Sequence, residues 1–282
     1  MLTPTPHLDA LLDLALAEDI GVGDATSRAT IPPQATATVD LIAREALVFC
    51  GAPVVDRLFW RFGPTAPALS WQVAEGQACT PGQVVGQITG RLHDILVLER
   101  PALNLLQRMS GVATLTRTYV DAVAGTRARI TDTRKTVPGW RLLDKYAVRM
   151  GGGSNHRSAL DGGILIKDNH LLAAGGVAAA VKAARAHAPH SLAIEVEVED
   201  MAGVDEALAA GADVILLDNF TPAQLAQAAA RIGKQAIVEA SGGITLQTVR
   251  AFAEAGAQLI AVGALTHSAR AVDLAAEVVE RG

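Results

Sequence analysis

Cysteine is nearly absent from this chain: 282 residues hold two, Cys50 and Cys79, far apart in sequence. That excludes a disulfide framework and a cysteine-spaced metal site, and a reducing cytoplasm is the expected home. No run of eighteen apolar residues occurs, so neither a transmembrane helix nor a membrane partner is expected. The first twenty residues carry Asp9, Asp13, Glu18 and Asp19 but no Lys or Arg, which argues against a secretory signal. Basic charge is in deficit, with 24 Lys and Arg against 29 Asp and Glu, a formal net charge of −5. General nucleic-acid binding is therefore not expected. Also missing are a Rossmann fingerprint, a Walker A loop, a nucleophile elbow, a zinc motif and an EF-hand loop.

What is present is enough apolar residue for a sizeable core, at 50% hydrophobic and 19% charged. The length suits a barrel-sized domain with a smaller companion. The positive charge is concentrated. From Arg134 to Lys167 there are seven bases (Arg134, Lys135, Arg141, Lys145, Arg149, Arg157 and Lys167) against two acids, Asp144 and Asp161. That segment is +5, which leaves −10 for the remainder of a −5 chain. A basic island in an acidic protein suggests a small, strongly anionic ligand held at one place. A solvated basic helix with its own ion pairs is the alternative for Arg141, Lys145 and Arg149, which are spaced four apart.

The first ninety residues mix strand and helix patterns without a crossover rhythm, as in an α+β sandwich. Residues 92–124 have helical spacing, with breaks expected at Pro101 and Gly111. Thereafter short apolar runs alternate with Ala-rich helical stretches. The runs are 128–130, 163–166, 192–198, 214–217, 236–238 and 259–262. Such alternation gives parallel βαβ units, and six of them suggest an α/β barrel or an open relative, with a doubly wound sheet as the rival. Two regions are expected: residues 1–110, joined by a C-terminal helix at 268–282, and a barrel at 111–267.

Barrels carry their chemistry where strands end, and here the runs end in polar or Gly-rich residues. Thr133, Arg134 and Lys135 follow the first and Lys167 the second; Glu197 and Glu199 close the third and Asp218 the fourth. Ser241, Gly242 and Gly243 end the fifth, and Gly263, Ala264 and Leu265 the sixth. An Arg–Lys pair offers a planar fork and a point charge to carboxylates or phosphates. Gly151–Gly153, followed by His156 and Arg157, could cradle an anion or serve as a flexible loop. Lys167 could form a Schiff base, bind an anion or sit in an ion pair. Strand alternation puts Glu195, Glu197 and Glu199 on one face, where some must meet cations and at least one is expected to be structural.

Ten segments, in order from Glu18 to Ser268, are similar to one family. Among them are Glu99–Arg100–Pro101–Ala102–Leu103–Asn104, Thr133–Arg134–Lys135–Thr136, Gly151–Gly152–Gly153–Ser154–Asn155–His156–Arg157, Lys167–Asp168–Asn169–His170 and Glu239–Ala240–Ser241–Gly242–Gly243. The family is the carboxylating nicotinate-nucleotide pyrophosphorylases, or quinolinate phosphoribosyltransferases. The resemblance implies an incomplete, open α/β barrel with an N-terminal α+β sandwich domain. It implies transfer of phosphoribose from phosphoribosyl pyrophosphate to quinolinate, with loss of CO₂, in the cytoplasm.

It also implies Mg²⁺ held at Glu197 and Asp218, and a homodimer, or a hexamer of dimers, with a shared site. Residue by residue, it places Arg100 in the partner's site. Thr133, Arg134, Lys135, His156 and Arg157 would contact quinolinate and phosphate. Lys167 would contact either substrate, and Glu197 and Asp218 the ribose. Ser241, Gly242, Gly243, Gly263, Ala264 and Leu265 would hold the 5-phosphate. Lys135, Lys167, Glu197 and Asp218 form the catalytic set so implied. A molybdenum-utilisation paralogue is similar around Thr133–Thr136, but the segments at 155–157 and 167–170 favour the first family. A Schiff-base lyase acting through Lys167 is the rival from another class.

Overall fold

The structure is a computed structural model and describes residues 3–281. It divides into two compact units. One comprises the chain through Leu115, Val137–Gly152 and the segment from Ser268; the other comprises Thr116–Thr136 and Gly153–His267. Val137–Gly152, expected in the barrel, thus groups with the first unit.

The first unit begins with α1 (Pro6–Ile20), α2 (Ala25–Thr30), β1 (Thr36–Ala43), β2 (Leu47–Val48) and α3 (Ala52–Phe62). It continues with β3 (Ala68–Trp71), β4 (Ala78–Cys79), β5 (Val84–Arg91) and the start of α4 (Leu92–Ala122). Thr5 caps α1 by accepting the Leu8 N–H, with Pro6 at the first helical position. Arg57 on α3 grips Asp9 on α1 through two hydrogen bonds of 2.8 and 2.7 Å. Gly51 offers no side chain to cap α3, so Glu75 Oε1 accepts the N–H groups of Gly51 and Ala52 instead.

β1 alternates inward Ala37, Val39, Leu41 and Ala43 with outward polar or half-exposed residues. α4 is a single helix that passes through both Pro101 and Gly111. Gly111 is a point of close approach: a Cβ there would lie 2.0 Å from the Arg270 carbonyl oxygen.

The barrel unit carries β6 (Arg129–Thr131), then, beyond α5 (Arg141–Met150) of the first unit, β7 (Ile164–Ile166), α6 (Asp168–Ala174) and α7 (Val177–His187). Next come β8 (Ile194–Val198), α8 (Met201–Ala210), β9 (Val214–Asp218), α9 (Pro222–Ile232) and β10 (Ile237–Ser241). It ends with α10 (Val249–Glu254), β11 (Leu259–Ala261) and α11 (Ala264–His267). Six parallel strands run in the order β6-β11-β10-β9-β8-β7. β6 and β7 are the two edges and do not pair. A lone parallel bridge from Thr131 to Ser154 lays the segment after α5 along β6. The barrel is therefore open, as expected, and Ile130, Ile194, Ile215 and Ile260 are almost fully buried in it.

One element reverses its expected type. The segment 268–282 was expected to be a helix, but its described part forms β12 (Leu274–Arg281). β12 pairs antiparallel with β1 from Leu274 opposite Ala43 to Arg281 opposite Ala37, giving a sheet ordered β12-β1-β5-β3. An edge of β1 offers a full hydrogen-bond ladder, which outweighs the helical preference of Leu274, Ala275, Ala276 and Glu277. Gly282 lies outside the described residues.

Candidate active site

The parallel strands deliver their last inward-facing residues to one cavity of about 210 Å³. Residues two apart line it, as a period of two requires: Leu165 and Lys167 from β7 and its end, Leu216 and Asp218 from β9, Glu239 and Ser241 from β10. Glu197 enters from β8, and Thr133, Arg134 and Lys135 from the loop after β6. His156 and Arg157 complete the wall. A larger open hollow of about 750 Å³ lies at the opposite, N-terminal ends of β9 to β11. In barrels that end serves stability rather than chemistry, and the cavity at the strand C-termini is where the charged groups converge.

Local hydrogen bonds fix these side chains. Asp132, fully buried, receives the His156 N–H at 2.9 Å and Asn155 Nδ2 at 2.6 Å, and so binds the 154–157 segment to the end of β6. Arg157 Nη1 donates to the Gly163 carbonyl at 2.8 Å, while its buried Nε has no hydrogen-bond partner. Burial, followed by the neighbouring Arg134, lowers the Arg157 pKa from its ordinary value, against the pull of Glu195. Arg157 remains a cation.

Lys167 forms an ion pair with Glu197. Thr266 Oγ1 donates to the Lys135 carbonyl at 2.8 Å. A Cβ on Gly263 would come within 3.2 Å of both His267 and Lys135, so glycine there permits their close approach. Asn219 adopts a positive φ of 57° and donates to Asp218 Oδ2 at 2.8 Å, aiming that carboxylate.

Beneath the cations lies an acidic floor. His156 Nδ1 accepts the Arg157 N–H at 2.7 Å, so the ring proton sits on Nε2 and is donated to Glu195 Oε2 at 3.0 Å. His156 is thereby a neutral ring with both nitrogens engaged. Glu239 is 1% exposed, and burial first, then the Glu195 charge, pushes its pKa up to about 8, against His156.

Of the residues expected in the site, Thr133, Arg134, Lys135, His156, Arg157, Lys167, Glu197, Asp218 and Ser241 line this one cavity. Gly242 and Gly243 form the turn beyond Ser241, with φ of 92° and 59°. A Cβ on Gly242 would lie 2.3 Å from Asn219 Oδ1. Gly263 and Ala264 follow β11, with Leu265 buried behind them. Arg100 is exposed on α4 in the first unit and does not line the cavity. Of the three strand glutamates, Glu197 faces the cavity, Glu195 is buried below it, and Glu199 is exposed past the strand end.

The expected glycine cradle is not one. The N–H groups of Gly151 and Gly152 close α5 by bonding to Ala147 and Arg149 carbonyls. Asp132 and Asn219 stand among the polar residues that end the apolar runs, and Glu239 in a family-like segment, but sequence reasoning gave none of the three a role in the site. A lone acid two residues before the end of an apolar strand, as in Ile237–Val238–Glu239–Ala240–Ser241, was the available signal for Glu239.

The donor set suits a hard cation in part. Lys167 takes up the Glu197 carboxylate, whereas Asp218 keeps one oxygen clear of Asn219 and is the better fit for a hard cation such as Mg²⁺.

Comparison with known proteins decides the family. Residues 24–110 and 112–277 match the N- and C-terminal domains of quinolinate phosphoribosyl transferase. The chain belongs to the quinolinate phosphoribosyltransferase family. It is 41% identical to a probable carboxylating nicotinate-nucleotide pyrophosphorylase of Bacillus subtilis, over 96% of this chain and 93% of that one. It is 42% identical to the carboxylating nicotinate-nucleotide pyrophosphorylase of Mycobacterium leprae, over 92% and 93% of the two chains. Its structure is similar to that of NadC from Streptococcus pyogenes, with a TM-score of 0.93, 39% identity and 99% and 100% of the chains covered. In this phosphoribosyltransferase chain the strand-end cations and carboxylates thus stand together around one cavity.

Proposed function

We propose that this cavity transfers phosphoribose from 5-phosphoribosyl 1-pyrophosphate to quinolinate, giving nicotinate mononucleotide, pyrophosphate and CO₂, a step of NAD biosynthesis. The observation that carries this is the convergence of Arg134, Lys135, Arg157 and Lys167 with Glu197 and Asp218 at the C-terminal ends of one open barrel. Quinolinate brings two adjacent carboxylates, and the second substrate brings a phosphate and a pyrophosphate. Binding both in one mouth needs this surplus of donors.

Arg134, Lys135 and Arg157 hold the two ring carboxylates, the buried unpaired Nε of Arg157 being a donor in want of an acceptor. Thr133 borders that site, and His156 bounds it as a neutral ring. Glu197 and Asp218 face the ribose hydroxyls, and Lys167 exchanges Glu197 for a substrate anion. The turns Ser241–Gly243 and Gly263–Leu265 receive the 5-phosphate. Asp218 would hold Mg²⁺, which would supply charge neutralisation for the pyrophosphate leaving group.

The ring nitrogen attacks the anomeric carbon as the bond to pyrophosphate breaks. The nearby carboxylates stabilise positive charge developing on the ribose. The bond to the 2-carboxylate then breaks, leaving its electron pair on the carbon beside the cationic nitrogen, where a proton from solvent ends. Fixed placement of that carboxylate by Arg and Lys suffices for this step.

Arg100, exposed on α4, reaches the partner's cavity in a homodimer or a hexamer of dimers. The cytoplasm is the proposed location, in keeping with two buried free thiols, Cys50 and Cys79. The ion pair with Glu197 holds Lys167 as a charged partner, which speaks against a Schiff-base lyase. The test is acceptor choice: quinolinate should be turned over and nicotinate, which lacks the 2-carboxylate, should not. Equal turnover of nicotinate would contradict the proposal.

A further inference from the structure

Glu239, Glu195 and His156 meet on the barrel axis side of β8 and β10, and the proposed reaction assigns Glu239 and Glu195 no task. Their ligating atoms lie within 4.8 Å of one another. Glu239 is 1% and Glu195 7% exposed. One oxygen of each, Oε1 in both cases, is buried without a hydrogen-bond partner.

A metal ion is the first thing such a trio suggests, but the histidine refuses it. Binding through Nε2 needs that nitrogen bare. Nδ1 is already bare, because it accepts the Arg157 N–H at 2.7 Å. A ring bare at both positions would be an imidazolate. Nε2 therefore carries a proton and gives it to Glu195 Oε2 at 3.0 Å, while Glu239 Oε1, at 3.8 Å, is beyond its reach.

Two ionised carboxylates this close and this buried, with the one histidine proton given to Glu195, are unfavourable. Every other neighbour leaves the problem unsolved. β9 and β11 set Leu216 and Leu259 beside Glu239. The charged groups that act on it most closely are Glu195 from β8 and His156 from the segment after α5, beside Arg157, while the cavity it lines also carries Arg134, Lys135 and Lys167 with Glu197 and Asp218. Arg157 spends Nη1 on the Gly163 carbonyl. A proton on Glu239 removes one charge and supplies a donor where two acceptors have none.

We propose that Glu239 is a positioning residue that stays protonated in the working enzyme, so that the floor of the cavity carries one negative charge instead of two and Glu195 keeps His156 as the neutral Nε2–H form. The consequence rests on the quinolinate assignment. Glu239 also lines the cavity that takes the dianion. Loss of its proton places a second negative charge beneath that anion and weakens its binding roughly tenfold or more.

Two readouts separate the proton from the substrate. The first is infrared spectroscopy of the whole enzyme without substrate. A protonated-carboxyl band is expected at pH 7, lost by pH 10, and absent from Glu239→Gln at either pH. A wild-type spectrum without that band, or with the band retained in Glu239→Gln, overturns the assignment whatever the substrate is.

The second is quinolinate binding without the phosphoribosyl donor. Wild-type affinity should fall at least tenfold between pH 7 and 9.5. Glu239→Gln, which mimics the neutral acid, should bind at least tenfold more tightly than wild type at pH 9.5. A variant that loses affinity with pH as the wild type does overturns the charge-control role. If Glu239→Gln does not fold, wild-type proton uptake on binding at pH 8, read from binding heats in two buffers, decides the same point, and zero uptake overturns it. A wild type that shows the infrared band but binds no quinolinate at any pH would strike the substrate assignment and leave the proton in place.

Discussion

Lys167, at the end of β7, closes on Glu197 of the adjacent strand β8. Each offsets the other's charge, so on the proposed function an incoming phosphate or carboxylate would compete with Glu197 for Lys167. Lys167→Ala is expected to cut kcat/KM by about 10²- to 10³-fold through loss of a charge-assisted contact. Glu197→Gln releases Lys167 and is expected to lower KM for an anionic substrate while lowering kcat, because ribose charge is less well stabilised. Steady-state kinetics with each substrate varied in turn separates the two effects. A Lys167→Ala enzyme with unchanged constants would contradict this.

Arg100 supplies the test of a shared site. Arg100→Ala and Lys135→Ala should each reduce turnover strongly with unchanged thermal melting, since Arg100 is exposed and Lys135 borders an open cavity. If Arg100 serves the neighbouring subunit, mixing the two inactive variants restores activity, because some hybrid sites carry both native residues. Mixtures as inactive as their parents, despite subunit exchange, would place Arg100 outside the site.

Glu239 makes stability fall as pH rises. Its folded pKa is raised to about 8 from an ordinary 4.5, burial and Glu195 being the causes. Between those values the unfolded chain releases the proton while the folded chain keeps it bound, so the native state loses relative stability across that window. Glu239→Gln removes the dependence. Its Tm should gain on the wild type by a few degrees between pH 5 and pH 8. A constant difference in Tm would show that Glu239 does not titrate in this range.

Glu45 works in the opposite sense. Its hydrogen bonds with Arg270, then the Asp273 N–H at 2.8 Å, hold its pKa down at about 2 against an ordinary 4.5. A depressed carboxylate contributes stability above 4.5 and loses it as pH falls towards 2. Glu45 is partly solvated, so the contribution is at most about 1 kcal/mol. Glu45→Gln should lower Tm by about 2–4 °C at pH 7 and by less at pH 3. A deficit that grows in acid would contradict the sign.

The barrel was legible because each strand is a short apolar run closed by a polar residue, and because its helices have clean ends. α7 and α9 are such helices, with Pro222 and Gly233 bracketing α9. What escaped depends on distant partners. The stretch 274–281 is a strand only because β1 presents an edge. Gly111 looked like a helix break, yet it is small because Arg270 crosses close to it. Arg134, Lys135 and Lys167 were visible as charges in an uneven sequence. Glu239 was not, since a buried acid is recognised by what surrounds it, and His156 and Glu195 come from other segments.

The most direct measurement follows quinolinate labelled in its 2-carboxylate. Purified protein is supplied with that compound, 5-phosphoribosyl 1-pyrophosphate and Mg²⁺, and labelled CO₂ and nicotinate mononucleotide are quantified together. One CO₂ for each nucleotide, with neither formed when the phosphoribosyl donor is omitted, is the predicted result. A folded protein that releases no CO₂, or releases it without forming the nucleotide, would contradict the proposed reaction.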